Sequence, residues 1–126
     1  MRHRTERRFL PRAESAAAAR SFVCETVRES SADRDDVLLL TSELVNNAIL
    51  HARSEFDVRV DIEDDYAVCV TVLNHAPELL LLAREPSASG GRGLALIDAV
   101  ANAWGFESRV DTKSVWFRLR GPPGAR

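Results

Sequence analysis

Two hydrophobic periods alternate along the chain, and the switches between them mark its elements. "RRFLP" (residues 7–11) predicts a short edge strand halted at Pro11, which cannot donate to a ladder. From Ala13 to about Ser30, alanines together with Phe22, Val23 and Val27 recur at helical spacing. Asp33 then stands as an N-cap, with Asp35 and Asp36 in the first turn, where the helix dipole favours acid. The helix it opens runs to about His51 and buries a stripe of Val37, Leu40, Leu44, Ala48 and Ala52. Beyond it, "FDVRVDI" and "YAVCVTVL" alternate apolar and polar residues and are rich in β-branched ones. With the turn-forming Asp64-Asp65 between them, they predict an antiparallel hairpin.

Residues 75–92 break every period with Pro77, Pro86, Ser87, Ser89, Gly90 and Gly91, and so predict a long loop. A third helix, "GLALIDAVANAW", follows, then two strands, "WGFESRV" and "SVWFRLR", and a flexible Gly/Pro tail at 121–126. The order β-α-α-β-β-loop-α-β-β predicts an α+β fold, a two-layer α/β sandwich. Its mostly antiparallel mixed sheet is covered on one face by three helices. At 126 residues the expectation is a single domain, with a core over about 8–120.

Composition narrows the function classes. A net charge of −2 argues against a protein built to neutralise nucleic-acid phosphates, and the basic "MRHRTERR" start reads as a solvated terminus. No apolar run approaches the roughly 20 residues that span a bilayer, so the cytoplasm is the expected location. Cys24 and Cys69 lie in apolar segments without metal-type spacing and read as buried reduced thiols.

Candidate chemistry begins at "TSELVNNAILHA" (residues 41–52). Asn is a poor helix former, yet Asn46 and Asn47 fall in mid-helix. Glu43 and Asn47 are four apart, so a carboxylate and a carboxamide oxygen share one helix face. Such a pair suits a hard cation such as Mg²⁺ beside a proton-accepting carboxylate. Taken alone, it reads first as a solvated polar stripe or as an Asn pair satisfying local backbone. The second feature is "GGRGLALID" (residues 90–98). Glycines before a helix let backbone N–H groups approach an anion, and Arg92 adds a forked cationic donor. A flexible turn is the plain alternative, since no Gly-Lys-Ser/Thr follows and the βαβ context of a dinucleotide fingerprint is lacking. The apolar run Leu79–Leu82 marks either an interface or a short helix packed on the domain.

In this order, the Glu-x-x-x-Asn helix, a strand ending at Asn74-His75-Ala76-Pro77, a long loop and a Gly-x-Gly-Leu helix start resemble the GHKL ATP-binding fold. That superfamily includes gyrase, the heat-shock chaperone ATPase, histidine kinases and MutL. "SELVNNAILHA", "GGRGLALIDAVANAWG" and the terminal "VWFRL" look most like anti-sigma-factor serine/threonine kinases and the small ATP-binding regulators of actinobacteria. The resemblance implies ATP and Mg²⁺ as cofactors. It implies Glu43 as general base and Asn47 as the Mg²⁺ ligand. Gly91 and Gly93 match the phosphate-cradling glycines, Arg92 lies between them, and Leu94 starts the helix beneath. Asn74 stands where relatives carry the aspartate that binds adenine, and Ser114 where a Thr lies near the base.

The function so implied is an ATP-binding regulator. It would bind a protein partner, a sigma factor or an anti-sigma-factor antagonist, and phosphorylate Ser or Thr of the antagonist. The alternative is a non-catalytic binding module of the same fold with weak or lost nucleotide binding, favoured by Asn74 and the Leu79–Leu82 run. A homodimer is left open, and neither nucleic acid nor a membrane is an expected partner.

Overall fold

The computed structural model describes residues 3–28, 30–52, 54–75 and 91–121; of these, the side chains of residues 51, 52 and 91–94 lie outside the description. Strand β1 (His3–Phe9) leads into helices α1 (Ala13–Thr26) and α2 (Arg34–Asn47), and α2 continues as a single π-helical turn, Ala48–Ala52. Strands β2 (Phe56–Ile62) and β3 (Val68–Asn74) follow, then helix α3 (Gly91–Val100) and strands β4 (Ala103–Ser108) and β5 (Lys113–Leu119). The sheet order is β1-β2-β3-β5-β4, and all four pairings among the described strands are antiparallel. The expected sheet, mixed but mostly antiparallel, is antiparallel throughout its described strands.

One face of the sheet carries the core. Phe56, Val58, Val60 and Ile62 of β2, Val68, Val70 and Val72 of β3, and Val115, Phe117 and Leu119 of β5 are buried there with Ala19, Val23, Val37, Leu40, Leu44 and Ile97 of the helices. Phe9 stacks on Phe56, with ring centroids 5.7 Å apart, and meets Phe22 edge-on at 6.2 Å, fastening α1 to the β1 edge. The opposite face is polar. Register sets Arg4 against Asp61 and Arg8 against Asp57, and each arginine forks onto its carboxylate, at 2.6 and 3.4 Å for Arg4 and 2.8 and 3.3 Å for Arg8.

Asp33 caps α2, its side chain accepting from Asp36 N–H at 3.2 Å, with Asp35 and Asp36 in the first turn as expected. Strand β3 begins two residues later than the pattern predicts because Tyr66 turns the chain at φ 68°. The third helix is shorter than predicted. It stops at Val100, and Ala103 and Trp104 already belong to β4, where Trp104 Nε1 donates back to Asp98 at 2.9 Å. Cys24 and Cys69 are free thiols, but half-buried rather than buried. Burial, reinforced by Asp61 and Glu63, pushes the Cys69 thiol up from its ordinary value. Ala52, His51 and the 121–126 tail were expected in the stripe, at the helix end and as a fraying segment. The side chains of the first two and residues 122–126 lie outside the described part.

Candidate functional site

Helix α2 divides its residues cleanly. Val37, Leu40, Thr41, Leu44 and Val45 are buried, Asn46 is exposed, and Glu43 and Asn47 sit half-buried between the two regions. Asn47 is therefore at the margin of the core and Asn46 outside it. Neither Glu43 nor Asn47 makes a side-chain hydrogen bond or ion pair with the described residues. Two polar side chains one turn apart, half-buried and without a partner among the described residues, form a ready oxygen-donor pair.

The helix changes character directly after Asn47. Ala48 N–H is shared between the Leu44 and Val45 carbonyls, and the chain widens into the π turn over Ala48–Ala52. The straight α-helix expected to about His51 thus ends at Asn47. π turns are rare and concentrate at functional sites, because they offset the residues around them from the regular ladder. This one packs against β3, while α2 itself lies over β3 and β5.

Asn74 is the last residue of β3, paired with Phe56 of β2 and Lys113 of β5. Its partner Phe56 is fully buried, so Asn74 shares the helix-covered face. It is 1% exposed, and its Nδ2 has no hydrogen-bond partner among the described residues. A buried unpaired donor costs roughly 1–3 kcal/mol, a cost that a bound acceptor would remove. The next residue, His75, turns to the other face, where its Nε2 lies 3.3 Å from Asp57 Oδ2 and 3.2 Å from Arg8 Nη2. Burial pushes the Asp57 carboxyl up, but hydrogen bonds from Arg8 and His75 outweigh it and hold the group below its ordinary value. This cluster ties β1, β2 and the end of β3 together and so fixes the backbone that carries Asn74.

Gly91, Arg92 and Gly93 form the first turn of α3 as described from Gly91, where the pattern begins the helix at Gly93 and the resemblance at Leu94. Their backbone N–H groups fall among the first four of the helix, which have no intrahelical partner. Helix α3 packs on α2, so the glycine turn belongs to the same helical layer as Glu43 and Asn47. The side chains of Arg92 and Leu94, and the Leu79–Leu82 run, lie outside the described residues.

Ser114 does not join this group. It pairs with Leu73, and the alternation of β5 sends it to the polar face. There it lines a cavity of about 370 Å³ with Arg59, Thr71, Leu73, Arg109 and Trp116. Lys113, its neighbour, is the β5 residue on Asn74's face. The signal lay in the strand pattern: Lys113, Val115, Phe117 and Leu119 share one parity, and the last three are core residues.

Among the described residues no group of three or more His, Cys, Asp or Glu side chains converges on a metal site. The donor set is instead the sparse one that suits Mg²⁺, which keeps waters and phosphate ligands and takes few from protein. Glu43 and Asn47, half-buried and without partners among the described residues, fit that role, and the Asn74 amide, whose Nδ2 has none there either, fits a ligand edge carrying an acceptor.

The fold class defined by this antiparallel sheet and three-helix layer is that of an ATPase domain. Residues 9–119 match the model of the histidine kinase-like ATPase domain, and the chain belongs to that family. Among solved structures it is similar to the Acinetobacter baumannii histidine kinase AdeS, with a TM-score of 0.56 over 92% of this chain and 67% of that one. At 9% identity that likeness speaks for the fold alone. No curated protein sequence matches the chain. No helix among the described residues is long and apolar enough to cross a membrane.

Proposed function

We propose that this protein is an Mg²⁺–ATP-binding regulator that phosphorylates Ser or Thr of a protein antagonist, in the manner of anti-sigma-factor kinases. The observation that carries the reading is the Glu43–Asn47 pair, half-buried and without partners among the described residues where α2 gives way to a π turn, in a chain of the histidine kinase-like ATPase family. Asn47 would hold Mg²⁺ through its amide oxygen, and the glycine turn of α3 would meet the phosphates through backbone N–H groups. Bound Mg²⁺ supplies neutralisation of phosphate charge. Glu43 would accept the proton of the incoming hydroxyl as its oxygen bonds to the γ-phosphorus and ADP departs.

A second reading, a non-catalytic module that captures its partner stoichiometrically, is favoured by Asn74. A neutral carboxamide there forgoes a charge-assisted bond, which is about twice as strong as a neutral one. Incubating the protein with radiolabelled Mg²⁺–ATP and candidate antagonist proteins, beside a pull-down of the same pairs, separates the two. Label on Ser or Thr of the antagonist supports the kinase. Partner capture with no label and no ATP affinity supports the module.

A further inference from the structure

We propose that Asn74 makes the base pocket tolerant of guanine as well as adenine, so that the site takes purine nucleoside triphosphates rather than ATP alone. The inference rests on the nucleotide-binding reading above and concerns which bases that site admits.

The chemistry follows from what the side chain can donate. A carboxylate at this position only accepts hydrogen bonds, so it favours a base edge that presents an amino group and repels one that presents a carbonyl. Adenine offers the former at its six-position and guanine the latter. A carboxamide carries both functions, and a half-turn of its terminal torsion exchanges them with little change of shape. In one orientation its oxygen accepts from the adenine amino group while its nitrogen donates to the neighbouring ring nitrogen. In the other its nitrogen donates to the guanine carbonyl while its oxygen accepts from the ring N–H.

Three observations make that exchange matter here. Asn74 is 1% exposed, so water cannot repair a mismatched contact. Its Nδ2 has no partner among the described residues, so no hydrogen bond from that nitrogen holds the amide in one orientation. Its backbone is pinned between Phe56 and Lys113, so the side-chain torsion, rather than the strand, is the free variable. Lys113, on the same face, adds a cation and no acceptor, and nothing in that register position favours an amino group over a carbonyl.

The test is calorimetric titration of the full chain with Mg²⁺–ATP, Mg²⁺–GTP and inorganic tripolyphosphate, for wild type, Asn74→Asp and Asn74→Ala. The expected dissociation constants of ATP and GTP for wild type lie within about tenfold, both well below that of tripolyphosphate. Asn74→Asp should open a preference for ATP of about a hundredfold, the size of a lost or opposed buried hydrogen bond. Asn74→Ala, which buries no charge and guards against a misfolded Asp variant, should weaken both nucleotides alike. Wild type that binds ATP but discriminates against GTP by more than about a hundredfold would overturn the inference and leave the ATP-binding reading intact. Tripolyphosphate binding as tightly as either nucleotide would overturn it too, since the base would then be unread. Binding of neither nucleotide would remove both proposals together.

Discussion

Asn74 and Lys113 face each other across β3 and β5 on the helix-covered side of the sheet, while Ser114, one residue along, looks to the polar side. The consequence is a division between two adjacent residues. Lys113→Ala should weaken nucleotide binding severalfold, about the 0.2–1 kcal/mol typical of a partly solvated charge. Ser114→Ala should leave it unchanged. Titration of both variants checks this, and a loss confined to Ser114→Ala would mean that the base lies on the other face.

Glu43 has no hydrogen-bonding task in the described fold, so its removal should be silent for stability and loud for chemistry. Glu43→Ala should lower phosphotransfer about a hundredfold to ten-thousandfold, the usual reach of a general base. Nucleotide affinity and partner capture should change little, because a base acts in the transition state. Wild-type transfer rates in the variant would exclude Glu43 from the role.

Thr41 presents the converse case. It is fully buried in the α2 stripe between Val37 and Val45, and its hydroxyl has no partner. Thr41→Val keeps the branched shape and removes the unsatisfied group, so it should raise stability by about 1 kcal/mol. Urea unfolding reads the change directly. A lower midpoint would mean that the hydroxyl is satisfied in solution.

The Asp57 cluster predicts a pH signature. Its folded-state pKa is depressed, so its stabilising contribution is complete above the ordinary carboxylate value of 3.8 and drains away as pH falls through the lower folded value. Asp57→Asn should therefore be less stable than wild type at neutral pH. The gap should begin to shrink below 3.8 and close once both states are protonated. A gap that persists unchanged in acid would assign Asp57 a packing role instead.

Much of the fold could be read from the residues because each element carries its own local signal. Asp33 with two acids behind it marks a helix start, and the parity of "FDVRVDI" marks which strand residues are buried. The π turn could not be read that way. "AILHA" continues the helical period, and the widened ladder is stored in backbone geometry rather than in residue type. The end of α3 was misjudged for a related reason: Ala101, Ala103 and Trp104 suit helix and strand alike, and pairing of Ala103 with Arg118 decides for the strand. The four-residue spacing of Glu43 and Asn47 puts both on one margin of α2, and the helix has them there, half-buried. Ser114 comes from a likeness to relatives, and the alternation of β5 sets that residue on the polar face while Lys113 shares the face of Asn74.

On the proposed reading, Asn47 is held at the margin of the core to bind a metal–nucleotide complex. Calorimetric titration of wild type and Asn47→Ala with ATP, each with Mg²⁺ and with EDTA, decides this. Wild type should bind in a Mg²⁺-dependent manner, and Asn47→Ala should lose at least about tenfold in affinity. The variant's circular dichroism and urea midpoint should be unchanged, since the side chain is only half-buried. Equal Mg²⁺–ATP affinity in the two proteins, or an Asn47→Ala chain that unfolds, would contradict it.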